Sequence, residues 1–461
     1  MSAKTDLIQP DRGQDAVAIH LVNKDSFAGF ARALSGAQRA SLAGQGFTGG
    51  GYQVGIVPDA DGWFALGGVA DPADLGTWCL ARLAEALPGG SYRLAEGLVA
   101  GPALHGWQGG QYAFTRYRQP DEAKGARVLL TGEVARIPAA LALAAAEALV
   151  ADMVNTPAED MGPEAIEAEA KAVADRHGAK FHVVRGDALK TGFPMVHAVG
   201  RAAAREHAPR LVEFTWGDEA HPRLAIIGKG VAFDTGGLDI KPASGMLLMK
   251  KDMGGAAHAL ALAGLVMASG LKVRLQCLLP CVENSIAGNA FRPGDVLASR
   301  KGLTVEVGNT DAEGRLILGD ALAYASEGSP TLMLDFATLT GAARVALGPD
   351  LPALFARRDE TAAALLAAGL AEGDPCWRLP IHAPYAEWLN SDIADLNNTN
   401  TNGFAGASVA ASFLDRFVGE GLDWAHFDTF AWRPAAKPGR PRGGAALGLR
   451  AAWRMVQERF A

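Results

Sequence analysis

From Pro157 to Leu334 the sequence alternates helical and extended segments, and this order restricts the folds open to the chain. Residues 163–177 have helical character, 180–184 are extended, and 211–214 and 224–227 are short apolar runs. Residues 256–268 form an apolar helical stretch, followed by extended segments at 273–279 and 304–307. Leu318, Ala321, Leu322 and Ala325 recur at helical spacing within 316–325, and 331–334 is again extended. Strands alternating with helices favour a mostly parallel sheet covered on both faces. In such a sheet, ligands bind beyond the carboxyl ends of the strands.

The first 137 residues read differently. Short apolar runs are broken by Gly49-Gly50-Gly51, Gly67-Gly68 and Gly89-Gly90, with a helix expected at 75–87 and a strand at 127–130. A run without Gly or Pro from 139 to 156 gives a long Ala-rich helix, which Thr156-Pro157 ends. The expectation is an α/β chain of two domains. Residues 1–137 form a smaller N-terminal α/β domain. Residues 138–461 form a catalytic domain with a mixed, mostly parallel sheet flanked by helices, and 138–155 is the linking helix.

Composition narrows the function. Hydrophobic residues make up 49% of 461, enough for a sizeable core. The net charge of −7 opposes a general nucleic-acid-binding role. Four cysteines, far apart except for Cys277 and Cys281 and without a CxxC, argue against a disulfide framework or a cysteine-zinc site. The stretch beginning Met1-Ser2-Ala3-Lys4 lacks the apolar core of a signal peptide. No uncharged apolar run reaches the roughly 20 residues of a membrane span. The expected location is the cytoplasm.

Two segments concentrate polar chemistry. Gly228-Lys229-Gly230 leads to Phe233-Asp234-Thr235-Gly236-Gly237, then Lys241, then Lys250-Lys251-Asp252. The second is Asn309-Thr310-Asp311-Ala312-Glu313-Gly314-Arg315. Asp234, Asp252, Asp311 and Glu313 offer the oxygen donors that hard divalent cations prefer. The lysines suit polarisation of a carbonyl or stabilisation of an oxyanion. Taken singly, acidic loop residues are usually solvated or cap helices, and the lysines are ordinary surface charges. HExxH and Gly-x-Ser-x-Gly are both absent, which disfavours a histidine-based zinc hydrolase and a serine hydrolase.

Asn309 to Leu316 resembles the signature of the leucyl aminopeptidase family of dimetal peptidases. Further matches come in the family's order: Asn155-Thr156-Pro157, Ile240-Lys241-Pro242, Met249 with Asp252-Met253, Glu283-Asn284, Arg292-Pro293-Gly294-Asp295 and Ala337 to Ala342. The resemblance covers residues 150–430; the N-terminal third is similar only in size and placement.

The resemblance implies a metal-dependent aminopeptidase that removes the N-terminal residue of peptides. It implies one metal on Asp234, Asp311 and Glu313, and another on Lys229, Asp234, Asp252 and Glu313. A metal-bridging water would attack the scissile carbonyl. Lys241 would stabilise the gem-diolate, and Arg315 would hold a bicarbonate ion as general base. Met249, Asp252, Thr338, Leu339 and Gly341 would contact the substrate. Zinc or manganese, peptide substrates with a free N-terminus and a homohexamer are the implied cofactors and partners.

The chain departs from the family after Asp428. There the family usually continues Ile-Ala-Gly, and this chain reads Thr429-Phe430-Ala431-Trp432. The departure leaves the preferred side chain open. A narrower dipeptidase, of Cys-Gly type for example, is the alternative within enzymes. A DNA-binding regulatory role is the alternative outside them, and a catalytically inactive scaffold is least favoured because every matched polar residue is present.

Overall fold

A computed structural model describes residues 6–118 and 125–461, and Met1 to Thr5, read above for targeting signals, lie outside the described residues. The chain divides into two compact units. One comprises residues 1–148 and 435–442, and the other residues 149–434 and 443–461.

The first unit is built on a six-stranded sheet of β1 (Ile8–Pro10), β2 (Val17–Val22), β3 (Val54–Asp59), β4 (Gly62–Gly68), β5 (Gly90–Leu94) and β6 (Arg127–Thr131), ordered β1-β6-β5-β2-β4-β3. Only β3 and β4 run antiparallel, as a hairpin; the other neighbours are parallel. Tyr92, Leu104 and Trp107 fill its core, and Trp107 Nε1 donates to the Arg127 carbonyl at 2.9 Å. The helix expected at 75–87 is confined to Ala81–Ala86. Residues before it are drawn into tight turns, with Cys79 N donating to Gly76 O and Ala81 N to Trp78 O, both at 3.1 Å.

The linking helix runs Ile137–Asn155, and the division between the units falls inside it. Ile137, Ala140 and Leu141 pack into the core of the first unit, which is why its first turns belong there. Residues 435–442 also belong to the first unit: Gly439 N donates to Glu85 Oε1 at 2.6 Å and the Arg440 guanidinium lies 4.7 Å over the Trp78 ring. Among the described residues one helix, 134–155, is long and apolar enough to cross a membrane, and only half of it is buried. It carries Glu147, 3.0 Å from His105 Nε2.

The second unit centres on a nine-stranded sheet. Its first strands are β7 (Lys180–Arg185), β8 (Arg210–Trp216), β9 (Arg223–Gly228), β10 (Gly230–Asp234) and β11 (Arg274–Asn284). A separate three-stranded sheet comprises β12 (Val296–Ala298), β13 (Thr304–Glu306) and β17 (Leu396–Asn397). The main sheet is completed by β14 (Leu332–Ala337), β15 (Ala353–Ala356), β16 (Trp377–Arg378) and β18 (Trp424–Asp428). Its order is β16-β15-β18-β14-β9-β11-β8-β7, with β10 extending the sheet beside β11. The centre, β18-β14-β9-β11, and the β10-β11 pair are parallel. The pairs β15-β18, β8-β11 and β7-β8 are antiparallel, so the sheet is mixed and mostly parallel.

Alternation along β9 assigns its two faces. Ala225 and Ile227 join the core that includes Leu316, Ile317 and Leu318 of helix Glu313–Glu327. Gly228 faces helix Gly254–Ser269 so closely that an added Cβ would lie 2.6 Å from Ala256 Cα. Only glycine admits that approach.

Strand β11 continues five residues past the expected 279. Pro280 interrupts the apolar pattern but sits where the strand changes neighbour, from β9 through Leu278 to β10 from Cys281. A residue without an N–H is tolerated at that seam. Likewise β14 continues past Leu334 because Asp335 is satisfied inside the sheet. It accepts from Trp424 Nε1 at 2.6 Å and meets His426 Nδ1 at 2.5 Å.

Asp320 ties three segments together. Buried within helix Glu313–Glu327, it accepts from the N–H groups of Met195 (2.8 Å), Val196 (3.2 Å) and Arg300 (2.8 Å). Burial pushes its carboxyl from 3.8 up to about 7, against the pull of those donors. Asp320→Ala leaves three donors unsatisfied, those of Met195 and Val196 buried, and should cost about 2–4 kcal/mol of stability. Because the folded value exceeds the unfolded one, the Asp320 contribution is complete below about pH 4 and declines as pH rises through 7. Urea midpoints across pH check both points: the variant should unfold at lower urea and lose this part of the pH slope. An unchanged midpoint contradicts the role given to Asp320.

Candidate metal centre

Lys229 occupies the break between β9 and β10. Its N–H donates to Phe336 O on β14 at 3.0 Å, and its carbonyl accepts from Ala256 N at 2.8 Å. Lys229 thus stands at the carboxyl end of β9, the edge of a parallel sheet where ligand sites form, before the chain continues as β10. The side chain is buried, 2.6 Å from Asp252 Oδ2 and 2.9 Å from Glu313 Oε1, and donates to Thr338 O at 3.1 Å. Asp252 follows a single 3₁₀ turn, Met249–Lys251, and its Oδ1 accepts from Thr338 Oγ1 at 2.7 Å. Glu313 is the first residue of its helix, where the helix dipole favours an anion. Gly314 follows for a steric reason: an added Cβ would lie 2.6 Å from Lys229 Cε.

Asp234 ends β10. Its Oδ1 accepts from Gly236 N and from Asn284 Nδ2, both at 2.9 Å, and its Oδ2 lies 2.8 Å from Lys241 Nζ. Lys241 also pairs with Asp311. The loop bearing Asp311 is held by Asn398, whose Oδ1 accepts from Gly308 N (2.8 Å) and Asn309 N (3.2 Å), and whose Nδ2 donates to Asn309 O (2.8 Å). Thr310 is held by Asp239, which accepts its N–H at 2.7 Å.

The site holds more carboxylate than ammonium, and the ionisation of each group follows. Burial and then the Asp234 charge push Glu313 up to about 8, with Lys229 opposing. Burial and Asp234 push Asp311 up to about 6, against Lys241. Burial disfavours the Lys229 ammonium, but Asp252, Glu313 and Asp234 more than offset it and shift it upward. Lys241 is likewise held charged by Asp234 and Glu313 against burial. Burial draws Arg315 down to about 10. Its guanidinium donates to Asn398 O at 2.7 Å, while its Nε is buried with no acceptor.

The donor set fits a divalent cation. Oxygens of Asp234, Asp252 and Glu313 lie within 4.8 Å of one another, and all three residues are buried. A buried carboxylate cluster is costly unless cations balance it, and hard divalent ions take oxygen ligands of this type.

Every residue singled out by the sequence lines one cleft of about 480 Å³: Lys229, Asp234, Lys241, Met249, Asp252, Asp311, Glu313, Arg315, Thr338, Leu339 and Gly341. Asp311 stands apart from the tight oxygen cluster and keeps a third of its side chain exposed. Sequence reasoning gave no role to several residues of the site. Asn284 stands out in the sequence only as part of Glu283-Asn284. Asn398, Asp239 and Asp428 had no local signal, because each acts through backbone donors distant in sequence. Asp428 Oδ1 accepts from Leu339 N (3.0 Å) and Thr340 N (3.2 Å), and its Oδ2 from Thr340 Oγ1 (2.6 Å). Phe430, Lys251 and Arg344 also line the cleft. Ala431 adopts the left-handed backbone that glycine would favour, with φ +53°.

Comparison with known proteins gives the same direction. Residues 148–452 match the model of the cytosol aminopeptidase family, catalytic domain. Residues 17–130 match that of the M17 aminopeptidase N-terminal domain, so the likeness of that part extends beyond size and placement. A probable cytosol aminopeptidase of Caulobacter vibrioides is 39% identical over 386 residues, 79% of this chain and 77% of its own length. The crystal structure of a cytosol aminopeptidase from Coxiella burnetii superposes with a TM-score of 0.94 at 41% identity, covering 99% of this chain and 100% of its own. The bottromycin maturation enzyme BotP in complex with Mn gives a TM-score of 0.87 at 32% identity, covering 97% of this chain and 100% of its own. With matches spanning both its parts, the chain belongs to the cytosol aminopeptidase family.

Proposed function

We propose that this chain is a metal-dependent aminopeptidase that hydrolyses the N-terminal residue from peptides. The observation that carries this reading is the buried cluster of Asp234, Asp252 and Glu313, opening on a cleft that also holds Lys241 and Arg315. The ligands proposed for two divalent ions are Lys229, Asp234, Asp252, Asp311 and Glu313. Such ions, when bound, lower the pKa of water and polarise a carbonyl. The Mn complex of BotP supports manganese, and zinc is the other choice.

The chain's own residues do the rest. With Asp234 and Asp311 engaged as ligands, the Lys241 ammonium loses two acceptors and is free to donate to the scissile carbonyl oxygen, where negative charge develops. Asp252, fixed by Thr338, sits where the substrate's free amine would be received. The orphaned Nε of Arg315 provides one arm of a fork for a planar anion, and bicarbonate there would supply a general base. Met249, Thr338 and Gly341 border the place of the first side chain, with the Leu339 backbone beside it. A cytoplasmic homohexamer is the assembly we assign, by likeness to the family. The net charge of −7 weighs against a DNA-binding role. No feature of the cleft favours a Cys-Gly dipeptidase over a broader aminopeptidase.

Chelation should abolish cleavage of amino-acid amides and dipeptides, and add-back of Mn or Zn should restore it. Absence of activity with any of Mn, Zn, Co and Mg would falsify the reading. Lys241→Ala should lower kcat by about 10²–10³-fold with little change in bound metal by elemental analysis. Near-normal turnover removes Lys241 from its role.

Metal uptake should also release protons. Glu313 holds a proton below about pH 8, and Lys229 must lose one to become a ligand. Apparent metal affinity therefore rises with pH. Titration calorimetry in two buffers of different ionisation heat should show release of roughly one proton or more per chain at neutral pH. Proton-neutral binding rules out this ligand set.

A further inference from the structure

We infer that Phe430, Lys251 and Arg344 form a corner of the cleft that reads a carboxylate on the substrate's first side chain, giving a preference for N-terminal Glu or Asp. This deepens the aminopeptidase reading and rests on it.

The three residues come from separate segments and meet at one ring. The Arg344 guanidinium lies 4.9 Å from the Phe430 ring centroid, and Lys251 Nζ lies 5.2 Å from it. Two cations over one aromatic ring is an arrangement the ring quadrupole stabilises. It also fixes Phe430 as a wall of the cleft.

Neither cation has a strong anionic partner. Lys251 is buried, 5% exposed, and its ion pair with Asp252 Oδ1 is long at 3.7 Å. Arg344 is exposed and forms no ion pair with a carboxylate among the described residues. The acidic groups of the cleft are engaged elsewhere. Asp252 and Glu313 pair with Lys229, and Asp234 and Asp311 with Lys241. Asp428 is satisfied by three donors from Leu339 and Thr340. This corner therefore presents positive charge that Asp252 balances only at 3.7 Å, in a partly enclosed space where a carboxylate would be attracted.

Position relates the corner to the first side chain. Arg344 lies three residues after Gly341 on helix Gly341–Leu347, hence on the same face. Lys251 lies in the same 3₁₀ turn as Met249. Both neighbours border the place proposed for that side chain.

The test uses the full-length, Mn-loaded protein and aminoacyl p-nitroanilides of Glu, Gln, Asp, Asn and Leu, which carry no C-terminal carboxylate. The expected kcat/KM is roughly tenfold or more higher for Glu than for Gln. Arg344→Gln and Lys251→Met should each bring that ratio toward one, with melting temperature and metal content showing that the variants are folded. A Glu/Gln ratio near one in the unaltered protein, or a ratio both variants leave intact, overturns the proposal. So does a result in which Arg344→Gln instead impairs Leu-Gly far more than Leu-Gly-amide, because the carboxylate read is then the peptide C-terminus. Cleavage of the Leu anilide without a gain for Glu removes this proposal alone. Cleavage of no anilide with any metal removes the aminopeptidase reading as well.

Discussion

The buried ion pairs of Lys229 hold the site together. Its ammonium joins Asp252, at the end of a 3₁₀ turn, to Glu313, at the start of a helix, while its backbone joins β14 to helix Gly254–Ser269. Four segments separated by up to about a hundred residues converge on one side chain. A charge buried this deeply is stable only when paired, so the site's geometry and the fold's integrity are coupled through it. The glycines at 228 and 314 serve the same convergence by letting a helix and the lysine side chain approach closely.

The sheet explains why the acids are placed where they are. The parallel strands β9, β10, β11 and β14 end near one another, and Lys229, Asp234, Asn284 and Thr338 stand at or just past those ends. A parallel sheet directs successive loops to the same edge, so residues from distant strands meet there. Asp311 and Glu313 reach the same edge from the loop and helix after the small three-stranded sheet, anchored by Asn398. Rigid elements carry the groups and hydrogen bonds from neighbouring loops orient them, as a preorganised site requires.

Much of the second unit was legible in its hydrophobic pattern, because strands buried on both faces read as continuous apolar runs. The pattern failed where a polar residue was buried with a partner. Asp335 ended the apparent strand at Leu334, yet Trp424 and His426 from β18 satisfy it and the strand continues to Ala337. The short strands β15 and β18 went unseen because four or five residues carry too little periodicity, and β18 also contains His426 and Asp428. The break of the linking helix between two units was also invisible, since its Ala-rich sequence is uniform and only packing divides it.

The sequence alone determined the chemical kinds of group at the site. The Asp-x-Glu spacing, the lysines and the arginine were fixed in order and in residue type, and the local rules of strand and helix placed them at segment ends. Tertiary structure decided which carboxylates share the buried cluster, that Asp311 stays apart from it, and that Asn398, Asp239 and Asp428 orient the loops. It also decided that Phe430 lies between two cations. The reason is physical: ionisation, pairing and burial depend on distances between residues far apart in sequence, and only the folded chain sets those distances.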